Sequence, residues 1–94
     1  MKKIRYVVAY DIRDNRKRNR VFKLLRSYGI WAERSVFECE LSPSKLERLR
    51  ADLVRLMDPE TDTLRIYRLT PMPEAIFAYG RVLERVPRSG VFIL

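Results

Sequence analysis

The 94-residue chain carries 20 lysines and arginines against 12 acids, for a formal charge of +8 and a pI near 10.2, and is 47% hydrophobic and 34% charged with three glycines. Such a composition belongs to a globular domain whose partner is a polyanion, most simply nucleic acid, or to a soluble domain with a merely basic surface. With no histidine and one cysteine, Cys39, the chain excludes Ser-His-Asp triads, Cys-His pairs, histidine or multi-cysteine zinc sites and internal disulfides, so chemistry near neutral pH falls to carboxylate, tyrosine, lysine or metal-bound water.

The N-terminus, MKKIRYVVAYDIRD, has too short an apolar core for a signal peptide, and no run approaches the roughly 18 apolar residues of a membrane span. The expectation is a cytoplasmic protein with no membrane partner. Residues 4 to 10 (IRYVVAY) are β-branched and aromatic and end in a polar run, the pattern of a strand. A helix follows, with Asp14 or Asn15 as its N-cap and Gly29 placed for a left-handed C-terminal cap. Its apolar stripe is Val21, Leu24, Leu25 and Tyr28. Arg16, Asn19, Arg20, Lys23 and Arg26 fall opposite that stripe, whereas Lys17 and Arg18 lie in the first turn nearer its flanks and can lean toward the end of the strand.

Residues 30 to 41 (IWAERSVFECEL) alternate in their second half, with Phe37, Cys39 and Leu41 on one side and Val36, Glu38 and Glu40 on the other. The first half is less regular, which leaves open one bent strand or a hairpin divided near Glu33 to Ser35. A second helix is expected from Pro43, with Ser44 and Glu47 at capping-box spacing, a buried stripe of Leu46, Leu49, Leu53, Leu56 and Met57, and a solvated Arg48–Asp52 pair. Pro59 ends it, and DTLRIYRLT at 62 to 70 reads as a strand. Residues 74 to 85 suit a helix or a strand, and the uncharged terminus GVFIL should dock onto the edge of its own sheet or of a second subunit. No repeat or linker divides the chain. It reads as one α+β domain over 1–94, a ferredoxin-like β-α-β-β-α-β arrangement with the helices on one face of an antiparallel sheet. A domain this small buries only about 60 to 65% of its unfolded surface, which favours a partner subunit.

Asp11 stands directly after the first strand and before the helix. Free amides and the positive end of the helix dipole attract phosphate there, Lys17 and Arg18 add charge, and a carboxylate can hold a divalent metal that bridges to phosphate. The competing role for Asp11 is to satisfy turn amides, and that for Asp14 is the cap. One carboxylate is a poor magnesium site, but a two-fold dimer would supply a second Asp11. Tyr10 and Phe37 suit base stacking or core packing, Trp31 an interface or core anchor, and Cys39 an inert core thiol. Glu38 and Glu40 suit a solvated strand face.

Tyr10-Asp11-Ile12, Arg18-Asn19-Arg20-Val21, Tyr28-Gly29 and above all SVFECEL at 35 to 41 resemble, in order over residues 4 to 70, the small CRISPR-associated protein two family, the adaptation subunit that partners the CRISPR integrase. The resemblance implies a homodimer in which residues 71–94 form a dimerisation segment beyond a core of 1–70 and the last strand crosses to the partner. It implies that Asp11 from each subunit forms one site for Mg2+ or another divalent cation such as Mn2+. Family members are described as metal-dependent endonucleases of single-stranded RNA or double-stranded DNA, and also as a non-catalytic bridge that holds spacer duplex between integrase dimers. Arg18 and Arg20 match the family's backbone-contacting arginines, and Arg13, Arg16 and Lys17 extend the basic segment. Tyr10, Ser35 and Phe37 match residues that line the strand ends. The chain departs from the family at Trp31 and Glu33, where a basic residue and glutamine are frequent. Two readings follow, a magnesium-dependent phosphodiesterase and a basic scaffold for duplex DNA. A single-strand RNA-binding ferredoxin-like domain is disfavoured, because its aromatic signature is missing.

Overall fold

Alternating apolar residues on β-branched segments, and apolar stripes on two segments of helical period, leave the chain one economical solution: helices laid over one face of a sheet. The computed structural model describes residues 2–69 and 74–80 and shows that solution. Strand β1 (Ile4–Asp11) leads to helix α1 (Asn15–Arg26), strands β2 (Gly29–Glu33) and β3 (Val36–Leu41), helix α2 (Pro43–Leu56) and strands β4 (Thr63–Arg68) and β5 (Glu74–Gly80). The sheet order is β2-β3-β1-β4-β5 with every neighbouring pair antiparallel. The first four strands have the ferredoxin-like order, and β5 adds to the edge at β4. No helix among the described residues is long and apolar enough to cross a membrane.

The Asp14 carboxylate caps α1 by accepting the Lys17 amide at 2.9 Å. Val21 and Leu25 are buried, and Phe22, Leu24 and Tyr28 pack partly against the same core. The expected basic face is where the helical period puts it, with Arg16, Arg20, Lys23 and Arg26 all exposed. Gly29 is a correction. The helix ends at Ser27 in right-handed backbone, with its amide on the Leu24 carbonyl at 3.1 Å, and Gly29 is the first residue of β2. Glycine is needed there for close approach: a Cβ would stand 2.4 Å from the Glu38 carbonyl oxygen and 2.6 Å from Cys39 Sγ.

Residues 30 to 41 form a hairpin. Arg34 and Ser35 make the turn, with Arg34 at φ 43° in the left-handed region. The cap of α2 is a second correction. Ser42, not Ser44, accepts the Lys45 amide, at 3.4 Å, with Pro43 as the first helical residue. Glu47 is therefore not part of a capping box and pairs with Arg50 at 2.8 Å, while Asp52 pairs with Arg55 at 3.5 Å rather than with Arg48. Residues 74–80 are strand, Gly80 closing β5 at φ 96°. There a Cβ would lie 1.8 Å from the Asp62 carbonyl oxygen. Residues 81–85, the terminal GVFIL and thus the predicted strand exchange lie outside the described residues.

One cluster joins Tyr6, Val8, Tyr10, Phe37, Cys39, Leu41, Leu64 and Ile66 of the sheet to Val21 and Leu25 of α1 and Leu46, Leu49 and Leu53 of α2. Both helices thus cover the same face. Alternation turns Val7, Ala9 and Asp11 of β1 the other way, together with Val36 of β3 and Tyr67 of β4. Ala9, Val36 and Tyr67 are buried on that face although neither helix lies over it.

Candidate functional site

The end of β1 gathers most of the residues in question. Asp11 is exposed, on the helix-free face, and opposite Thr63 in the register. Being the last strand residue, it presents a carboxylate beside a turn on an open surface. Two shallow depressions of about 430 and 330 Å³ lie elsewhere, lined respectively by Lys45 and Arg48 among others and by Tyr28 and Glu38 among others, and neither includes Asp11. An exposed surface suits an extended polymer strand better than a small enclosed ligand.

Arg18 folds back from α1 onto the other side of this corner. Its guanidinium donates to the Ile12 carbonyl at 3.0 Å and to the Asn15 side chain. Tyr10 lies beneath it, its amide bonded to the Ser35 carbonyl at 3.1 Å and its ring stacked on Phe37 at 6.4 Å. Burial raises the Tyr10 hydroxyl above its ordinary value, against the smaller lowering effects of the Ser35 hydrogen bond and the Arg18 charge. Phe37 has no exposed surface and Tyr10 only 6%, so these rings form the floor of the corner and touch no ligand as arranged; Ser35 is half-buried. Arg13 is exposed in the loop, Lys17 is partly buried, and Arg16 and Arg20 project from the outer side of α1. Sequence spacing grouped acid and base at one helix N-terminus. The fold instead puts Asp11 on the helix-free face and the arginines on the helix side, and the Asp14 carboxylate already occupies the anion position at the helix start.

Asp62 was missed by sequence reasoning. It is 1% exposed, and its carboxylate accepts the Asp58 amide at 2.8 Å, the Arg13 amide at 3.2 Å and the Thr61 hydroxyl at 3.1 Å. Burial works against the charge, but those bonds and Lys17 together outweigh it and hold the carboxyl below its ordinary value. Asp62 thus ties the loop before β4 to the loop after β1, fixing the segment that follows Asp11. The available signal was an Asp between a proline-ended helix and a strand, where turn amides need an acceptor. With Asp62 committed to these donors, Asp11 is the exposed acid at this strand end. Among the described residues no three His, Cys, Asp or Glu side chains are grouped to hold a metal. One exposed carboxylate is compatible with a largely hydrated divalent cation and does not make a closed site within one chain.

A split β-α-β sheet carrying two helices on one face, with a strand-end acid and an arginine-rich first helix, defines a ferredoxin-like α+β protein. Residues 4–73 match the CRISPR associated protein Cas2 family, and the chain belongs to that family. It is similar to the CRISPR-associated endoribonuclease Cas2 1 of Rhodospirillum rubrum, with 35% identity covering 94% of this chain and 89% of the relative. It is also similar to the CRISPR-associated endonuclease Cas2 2 of Thermus thermophilus, with 45% identity covering 76% and 79%. Among solved structures, that of Streptococcus pyogenes Cas2 at pH 6.5 superposes with a TM-score of 0.68 at 29% identity, covering 72% of this chain and 88% of that one.

Proposed function

We propose that the chain is a CRISPR adaptation nuclease: a homodimer that hydrolyses phosphodiester bonds of single-stranded RNA or double-stranded DNA with Mg2+ or Mn2+, working with the CRISPR integrase in the cytoplasm. The exposed Asp11 carboxylate at the end of central strand β1 carries this reading. The names of the relatives, which include endoribonuclease and endonuclease, support its reaction class.

Asp11 from each of two chains would hold the cation. When bound, the cation supplies Lewis-acid stabilisation of phosphate charge and a more acidic water. The chain's own residues do the rest. Arg18, anchored on the Ile12 carbonyl, the exposed Arg13, Arg16 and Arg20 and the partly buried Lys17 attract and position the polyanion. Asp62 fixes the loop that follows Asp11. The test is cleavage of labelled RNA and duplex DNA, with magnesium or EDTA, by wild type and by Asp11→Asn shown to retain fold and dimer. Magnesium-dependent cutting that is lost in the variant is the expected result. Equal cutting by both proteins would remove Asp11 as the metal ligand.

A second reading, a non-catalytic scaffold holding spacer duplex between integrase dimers, draws on the exposed Arg16 and Arg20 row and on the lack of a three-ligand cluster among the described residues. It predicts duplex binding unchanged in Asp11→Asn.

A further inference from the structure

Trp31 is the chain's single tryptophan and is 53% exposed on the edge strand β2. An indole this exposed usually turns freely, but this one is held. Its Nε1–H donates to the Arg34 carbonyl at 2.7 Å, and its ring meets Phe22 edge-on at 6.2 Å between centroids and 64° between planes. The carbonyl that fixes it belongs to the residue at φ 43°, a conformation a non-glycine side chain adopts at a cost. Beyond Phe22 the Arg26 guanidinium lies 5.9 Å from that ring's centroid. Arg18 precedes Phe22 by four positions, so Arg18, Phe22 and Arg26 share one face of α1, with Phe22 against the indole and the Arg18 guanidinium turned toward the Ile12 carbonyl. Glu33 and Arg34, both exposed where β2 turns into β3, offset each other's charge, so the net positive charge beside the indole lies on that face of α1.

We propose that this corner binds single-stranded nucleic acid, an unpaired base stacking on Trp31 while the phosphates follow Arg18 and Arg26. A fixed aromatic face beside a line of cations suits such a strand, because each base offers a π-face and each linkage a negative charge. Bases stacked within a duplex cannot reach the ring. An apolar protein partner would leave the flanking cations without a counter-charge. The inference rests on the nucleic-acid-binding part of the proposed function and not on cleavage.

With one tryptophan, emission reports on Trp31 alone. The full chain is titrated in EDTA at low salt with a labelled oligouridylate of about a dozen nucleotides and with a blunt duplex of equal length, anisotropy and tryptophan emission being read together. The single strand should quench emission saturably, in parallel with anisotropy, and the duplex should leave it unchanged. Trp31→Ala should weaken single-strand binding roughly 5- to 150-fold, the loss of one base–aromatic stack, with duplex affinity unaltered and Trp31→Phe retaining most of it. Strand binding with no change in emission, or equal losses for strand and duplex in Trp31→Ala, overturns the proposal and leaves the nuclease reading standing. A blue shift that grows with protein concentration alone assigns the corner to a second copy and likewise overturns it. No binding of either nucleic acid would sink the wider reading too.

Discussion

Two buried side chains set the residue-scale chemistry, and both can be titrated. Because the folded Asp62 carboxyl lies below its ordinary value of 3.8, its contribution to stability is present above the unfolded value and is lost as pH falls from about 4 through the folded value. Urea unfolding of wild type from about pH 5 to about pH 2, a range that brackets the unfolded Asp value, should therefore show a progressive fall in stability. In Asp62→Asn the share of that fall due to Asp62 should be missing. At neutral pH the same variant should be less stable by about 1–3 kcal/mol, since the Asp58 and Arg13 amides bond to different carboxylate oxygens and the amide nitrogen of Asn leaves one of the two without an acceptor. Unchanged midpoints would show that the loop is fixed by something else. Cys39, 1% exposed and pushed up to about 11 by burial, should resist a thiol reagent in the native protein at neutral pH and react at the rate of unfolding. Prompt labelling would show that the β2–β3 side of the core opens locally. The inert-thiol reading of Cys39 was available from strand alternation alone. The role of Asp62 was not, since its partners Arg13 and Asp58 lie on two separate loops.

At the scale of elements, period and caps made most of the architecture legible. The stripe of Leu46, Leu49 and Leu53 and the alternation of Phe37, Cys39 and Leu41 point to the same core, and the structure buries all six. The glycines were harder, because Gly29 has two physical uses, a left-handed turn or room for a neighbour. The cap reading would make Gly29→Asn nearly harmless. The 2.4 Å and 2.6 Å approaches instead make Gly29→Ala and Gly29→Asn both destabilising, by about 1–3 kcal/mol, measured by thermal or urea unfolding. Gly80→Ala should cost at least as much, combining φ 96° with a 1.8 Å approach to the Asp62 carbonyl. The turn near Glu33 to Ser35 stayed open against one bent strand for a related reason: arginine carries no turn signal, and only the pairing of β2 with β3 forces the φ of Arg34.

For the whole molecule the deciding quantity is charge. With 20 basic against 12 acidic residues, association with duplex DNA should be steeply salt-dependent, log K falling against log salt by about 0.9 per phosphate neutralised. Replacing Arg16 and Arg20 together by alanine should flatten that slope by up to about 2 while leaving thermal stability within about 0.5 kcal/mol, because both side chains project into solvent from α1. An unaltered slope would move the interface off this helix. Sedimentation of the full chain should give twice the 11.3 kDa monomer mass if Asp11 is supplied by two subunits, and a monomer at high concentration would remove the shared cation site.

Local pattern determined the class of the domain, both helix stripes, the exposed basic face of α1, the strand over residues 4 to 10 that leads into Asp11 and, through the missing histidines, the chemistry open to it. These follow from period, capping and composition, which act over a few residues and need no tertiary partner. Only the tertiary structure decided that residues 29–41 turn at Arg34, that Gly29 serves close approach, that Asp62 joins two loops, and that Asp11 and the Arg18 side chain stand on opposite sides of one strand end. Each depends on contacts between segments distant in the chain, and a strand's alternation turns consecutive residues to opposite faces wherever the helices come to lie.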